Sequence, residues 1–127
     1  EDKIKLLGFL NSDEVKEYVR KARFIVVPSV WYENCPYSVL ETLAMGKPII
    51  GSNLGGIPEL VRDNENGLIY KYNDIKELEG KMQELFDNKE KAIQLGKMAK
   101  ENAKKDFSKG SYYNKIVRVY EEVLKNK

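Results

Sequence analysis

The chain has 127 residues, with 22 Lys and Arg set against 20 Asp and Glu for a net charge of +2. That length fits one domain with a core of its own, and so even a balance gives no sign of a polyanionic partner such as nucleic acid. The single cysteine, Cys35, excludes an intrachain disulfide, and the absence of histidine removes Ser-His-Asp and Cys-His catalysis together with the commonest zinc ligand. Any chemistry must rest on carboxylates, backbone amides, lysines and arginines.

Short apolar runs at 4–10 (IKLLGFL), 24–29 (FIVVPS), 48–52 (PIIGS) and 67–72 (GLIYKY) predict strands, each followed by a helical pattern. Strands alternating with helices are the mark of βαβ units, so the expected class is α/β, a Rossmann-like doubly wound parallel sheet with C-terminal helices. After the first run, Asn11 and Glu14 have the spacing of a capping box, and Val15, Tyr18, Val19 and Ala22 repeat at helical intervals, which predicts a helix over 12–22. Pro36 suits the first position of the next helix, with Cys35 as its N-cap. Val39, Leu40, Leu43 and Ala44 give that helix an apolar face, and Gly46 with Pro48 ends it. A short helix is expected after Gly55-Gly56 and Pro58, and a tight turn at Asn66-Gly67, both of which tolerate positive φ. Helices are predicted over 74–87, 89–105 and 109–125, with a break at Phe107-Ser108.

Three or four strands are fewer than the six or so of a complete doubly wound nucleotide domain, so residues 1–127 read as a single, truncated domain. In the strand order 3-2-1-4-5-6 the run 4–10 would be an edge strand, separated from 24–29 by two absent strands. It is expected either to move in beside 24–29 or to pair with another copy, giving a homodimer. No apolar run reaches the roughly 20 residues that span a bilayer and no signal peptide opens the sequence, so a soluble, cytoplasmic chain is expected.

The stretch from Pro28 to Pro48 concentrates the functional signals. At the start of the helix after Pro36, amides without a helical partner and the dipole together favour a phosphate. Glu41 lies one turn further in. Its side chain leans back toward the N-terminus, where it can accept hydrogen bonds from a diol beside that phosphate. Glu33 lies on the loop leaving the strand's carboxyl end, the usual ligand side of open α/β sheets. Two acceptor-only carboxylates flanking an anion site describe a nucleotide sugar. Taken alone, two glutamates at this spacing in a glutamate-rich chain favour the plainer reading of acids placed for the helix dipole.

The segment PSVWYENCPYSVLETLAMGKPIIGSNLGGIPELV resembles the E-x7-E segment of the glycosyl transferases group 1 family, retaining, nucleotide-sugar-dependent enzymes of the GT-B fold. The likeness extends over nearly the whole chain, through Gly8-Phe9-Leu10, Pro28-Ser29, Ala44-x-Gly46-x-Pro48, Gly55-Gly56-x-Pro58-Glu59, Asn66-Gly67-Leu68 and Phe107-Ser108. It implies that residues 1–127 are the donor-binding, C-terminal domain of a glycosyltransferase of the hexosyltransferase type. Glu33 would contact the donor sugar and support the reacting centre, Glu41 would bind the ribose, and the loop Asn34, Cys35, Pro36, Tyr37, Ser38 and Val39 would hold the diphosphate and sugar. It further implies no cofactor and no metal, in keeping with the lack of an Asp-x-Asp motif, and a sugar or lipid-linked acceptor held by an N-terminal domain. The parent enzyme would work in the cytoplasm, at the inner face of the membrane where its acceptor is lipid-linked. The family's usual Glu-Gly-Phe-Gly-Leu-Pro is replaced here by Glu33-Asn34-Cys35-Pro36-Tyr37-Ser38. The basic residues that neutralise the departing diphosphate precede residue 1, so the isolated chain is expected to be inactive.

Weaker signals read as structure first. Cys35 has no histidine to activate it. Gly55-Gly56 is not a GxGxxG fingerprint and suits a turn beside the donor site. Phe9 and Leu10 suit core packing ahead of contact with a nucleobase, and Lys97, Lys100, Lys104, Lys105 and Lys109 suit a solvated helix face ahead of an anionic lipid surface. The competing functions are a non-catalytic nucleotide-sugar binding module and a GT-B-like nucleotide-sugar epimerase, which depends on histidine-bearing loops that this chain lacks.

Overall fold

Three parallel strands form the sheet in the order β1 (Ile25–Val27), β2 (Ile49–Ser52), β3 (Gly67–Tyr70), in a computed structural model that describes residues 3–125. The register pairs Ile25 with Ile49 and Val26 with Ile50, then Ile50 with Leu68 and Ser52 with Tyr70. The α/β class and parallel sheet are as the sequence predicts. Because side chains alternate across a strand, Ile25, Val27, Ile49 and Ile69 belong to one core cluster, while Val26, Ile50, Leu68 and Tyr70 belong to a second on the opposite face. β2 is buried along its length, as a central parallel strand should be.

The described residues also form six helices: α1 (Ser12–Lys21), α2 (Tyr37–Ala44), α3 (Ile57–Leu60), α4 (Ile75–Asp87), α5 (Lys89–Asp106) and α6 (Lys109–Lys125). α2 and α3 cover the first face with Val39, Leu43, Ile57 and Leu60, and α4 covers the second with Leu85. α5 serves both, giving Ala92 and Leu95 to one cluster and Ala99 and Ala103 to the other. The capping box of α1 forms in full: Asn11 Oδ1 accepts from the amides of Asp13 and Glu14, and Glu14 accepts from the Asn11 amide. Gly46, at φ +74, takes the left-handed conformation that ends α2, and the break at Phe107-Ser108 separates α5 from α6. Among the described residues no helix is long and apolar enough to cross a membrane.

Several expectations are corrected. The run 4–10 forms no strand and does not move beside β1; it is irregular and exposed, with Ile4, Leu6 and Phe9 more than 80% accessible. A strand is defined by its neighbour, and among the described residues nothing pairs with that run. Core packing of Phe9 fails for the same reason. At Asn66-Gly67 the left-handed residue is Asn64, at φ +59. Asn66 is instead buried, accepting from the Arg62 amide at 2.8 Å and donating to the Leu60 carbonyl at 3.0 Å. Its side chain therefore closes the turn in place of unusual backbone.

A charged clamp ties the α3–β3 connection to α5. Arg62 reaches Glu65 at 2.9 Å and Asp106 at 2.6 Å, and Asn102 donates to Glu65 at 2.7 Å. The hydrogen bonds from Arg62 and then Asn102 hold the Glu65 carboxyl below its ordinary range. A carboxyl with a lowered folded pKa contributes stability that is present above its ordinary value and lost as the pH falls through the folded one. The thermal midpoint is therefore expected to fall on acidification, and less so in Glu65→Gln. The difference should be small, because the group is exposed and screened. Equal acid sensitivity in melting curves of the two proteins would remove the clamp from this account.

Candidate functional site

The site lies at the carboxyl ends of β1 and β2, where loops 28–36 and 53–56 leave the sheet. Pro28 removes a ladder donor and starts the first loop. Ser29 is anchored beneath it, since its carbonyl accepts a 3.0 Å hydrogen bond from the Ser52 hydroxyl at the end of β2. The Ser29 hydroxyl then donates to Glu33 Oε1 at 3.2 Å. This orients one carboxylate oxygen and leaves the other for a ligand.

The second loop grips Glu33 through its backbone. The Gly56 amide donates to the Glu33 carbonyl at 2.6 Å. Gly55 stands at φ +59, and a Cβ there would come within 2.6 Å of the Glu33 amide nitrogen and carbonyl oxygen. One on Gly56 would overlap the Asn34 carbonyl oxygen. The glycine pair is thus required by close approach of two backbones, a role its sequence neighbourhood does not reveal.

α2 begins one residue later than expected. Pro36 has φ −68, which suits either position, but ψ 112 takes it out of the helix and makes it the N-cap in place of Cys35. The Pro36 carbonyl accepts from Val39 at 3.0 Å and from Leu40 at 3.3 Å. Val39 therefore supplies a buried core side chain rather than an open amide. The amides of Asn34, Cys35, Tyr37 and Ser38 have no hydrogen-bond partner among the described residues. Those of Tyr37 and Ser38 sit in the first turn of α2, at the positive end of its dipole.

Glu41 is exposed on the next turn and lines a cavity of about 380 Å³ between α1 and α2. Leu10, Val15, Lys16, Ser38 and Met45 share its walls, which are mostly apolar. Glu33 does not face this cavity. One acid therefore belongs to the loop before the α2 N-terminus and the other to the groove beside α2. A cavity of similar size between Phe24 and α4 is lined mainly by apolar side chains without convergent polar groups, so volume alone does not mark the site. Among the described residues no cluster of His, Cys, Asp and Glu has the arrangement of a metal site.

Comparison with known proteins identifies the family. The chain is 39% identical over 120 residues to an uncharacterised glycosyltransferase of Methanocaldococcus jannaschii, covering 94% of this chain and 34% of that protein. It is 26% identical over 128 residues to the amylovoran biosynthesis glycosyltransferase AmsK of Erwinia amylovora, covering 97% and 31%. The chain thus spans about a third of the length of these relatives. Sucrose-phosphate synthase from Thermosynechococcus elongatus superposes with a TM-score of 0.83 at 25% identity, over 99% of this chain and 31% of that one. HepE of Anabaena in complex with UDP-glucose gives 0.82 at 20% identity over 96% and 33%, a likeness of fold. The profile described as Glycosyl transferases group 1 matches residues 1–105, and with that the chain belongs to the glycosyl transferases group 1 family.

Proposed function

We propose that residues 1–127 are the donor-binding domain of a retaining GT-B glycosyltransferase that takes its sugar from a nucleoside diphosphate. The observation that carries this reading is the run of open amides at the α2 N-terminus, with Glu33 in the loop before it and Glu41 one turn beyond it, in a chain of this family. In this reading the diphosphate lies on the Tyr37 and Ser38 amides, with Asn34 and Cys35 completing the loop. The ribose diol bonds Glu41, the base enters the groove toward Leu10 and Val15, and the sugar meets Glu33. The presence of UDP-glucose in the HepE structure supports a nucleotide sugar as the ligand of this fold.

The acceptor side, for a sugar or lipid-linked acceptor, and the basic residues that meet the departing diphosphate are assigned to the part of the relatives' length that residues 1–127 do not cover. No cofactor or metal enters the scheme. Glu33 acts from its Ser29-oriented carboxylate on the positive charge that grows at the anomeric carbon. Glu41 binds in the ground state.

Calorimetric titration with a panel of nucleotides and nucleotide sugars tests the binding half. Glu41→Ala removes charge-assisted hydrogen bonds worth about 1.5 to 3 kcal/mol, so Kd is expected to rise by about ten- to a hundredfold. Affinity unchanged by that substitution would sink the assignment of the ribose.

A further inference from the structure

We propose that the chain carries a second anion-binding site, for a compact phosphate or diphosphate group, at the amino ends of the parallel strands. A cavity of about 400 Å³ opens there between the turns that enter β1 and β2 and the first turns of α5. Four of the residues that line it are cationic, Lys21, Arg23, Lys47 and Lys89, and none is acidic. In a chain with 22 basic and 20 acidic residues, such a one-sided lining concentrates a field that the sequence as a whole does not have.

Two of the cations are held in place by neutral partners. Lys47 Nζ donates to the Ala22 carbonyl at 2.9 Å. Arg23 donates to the Phe86 carbonyl and lies over that residue's ring, 5.5 Å from its centroid. Neither contact neutralises the charge, and an ammonium has three donors and a guanidinium five, so each keeps N–H groups to offer. Of the four, only Lys21 has a carboxylate partner among the described residues, Glu17 at 3.8 Å on the exposed side of α1. Lys89 opens the 18-residue α5, whose dipole adds to the same field.

The walls are rigid, because α5 and the turn after α2 meet backbone to backbone. A Cβ on Gly96 would overlap the Gly46 carbonyl oxygen. A concave, four-cation cavity suits a small, multiply charged anion rather than the plane of a bilayer. The eight residues of α2 set this cavity about 12 Å from the Tyr37 and Ser38 amides, so it is separate from the donor site and does not rest on the reading given to that site.

Calorimetric titration of inorganic pyrophosphate into the 127-residue chain is the test. Saturable binding is expected, weakened at least tenfold in Lys21→Gln/Lys89→Gln and unchanged in Lys104→Gln/Lys105→Gln, which alters exposed lysines of α5 outside the cavity. Circular dichroism checks that both variants fold. Co-sedimentation with phosphatidic acid vesicles separates the sources. Pelleting that pyrophosphate reverses identifies a lipid headgroup, and no pelleting identifies a soluble phosphate. Absence of saturable pyrophosphate binding, or equal weakening in the two double variants, would overturn the site.

Discussion

Alanine at Gly56 is expected to cost about 2 kcal/mol, within the range for forced overpacking, and so to lower the thermal midpoint by roughly 6 to 10 °C. The reason is space, since Gly56 has ordinary helical φ and ψ. A methyl group there meets the carbonyl oxygen of Asn34, which is backbone and cannot rotate away. Loop 33–34 must lift, the 2.6 Å bond from the Gly56 amide to Glu33 must lengthen, and the Glu33 carboxylate shifts with it. Loss of nucleotide-sugar binding should accompany the loss of stability. Gly80→Ala supplies the contrast. That glycine lies inside α4 with nothing within 4 Å of its Cβ position, so alanine should stabilise by about 0.5 to 1 kcal/mol through helix propensity. Thermal melts of the two variants shifting in the same direction would contradict the close approach seen between the loops.

What was legible in the sequence is what local chemistry decides. Asn11 and Glu14 announce a capping box because both partners lie within one turn, and the box forms. The apolar face of Val39 and Leu43 and the stop at Gly46 likewise give α2 its core side and its end. The failures are non-local. IKLLGFL has the composition of a strand, but composition supplies only half of a ladder, and no strand pairs with it among the described residues. Pro36 fixes φ and leaves ψ to the loop, so the helix start moved by one residue and the Val39 amide went to the Pro36 carbonyl. At the candidate site the two glutamates were singled out by the likeness of their segment to the family, since their spacing alone favours acids placed for the helix dipole. The support beneath Glu33 could not be read from the sequence, because Ser52 reaches Ser29 and Gly56 reaches Glu33, each from 23 positions away, and no periodicity records a contact of that kind.

Glu33→Gln, placed in the enzyme complete with its acceptor side, is expected to lower kcat by about 10² to 10³ while leaving donor KM within a few-fold, the size of effect seen when one electrostatic partner of a transition state is removed. Glutamine keeps the volume of the side chain and an oxygen to accept from the Ser29 hydroxyl, so the loop and its bonds to Gly56 should stand. What disappears is the negative charge. In the ground state the donor sugar is neutral at the anomeric carbon and an amide binds its hydroxyls nearly as well. In the proposed reaction that carbon becomes cationic as the bond to the diphosphate breaks, and only then would the carboxylate gain over the amide. An interaction realised only in the transition state appears in kcat, whereas Glu41→Ala should appear in KM. Ser29→Ala should fall between them, since it frees the Glu33 carboxylate from the hydroxyl that aims it but leaves its charge. Steady-state kinetics on the three variants decide the roles. A Glu33→Gln enzyme whose loss lies wholly in donor KM would make Glu33 a ligand for the sugar hydroxyls with no part in stabilising the charge at the reacting carbon.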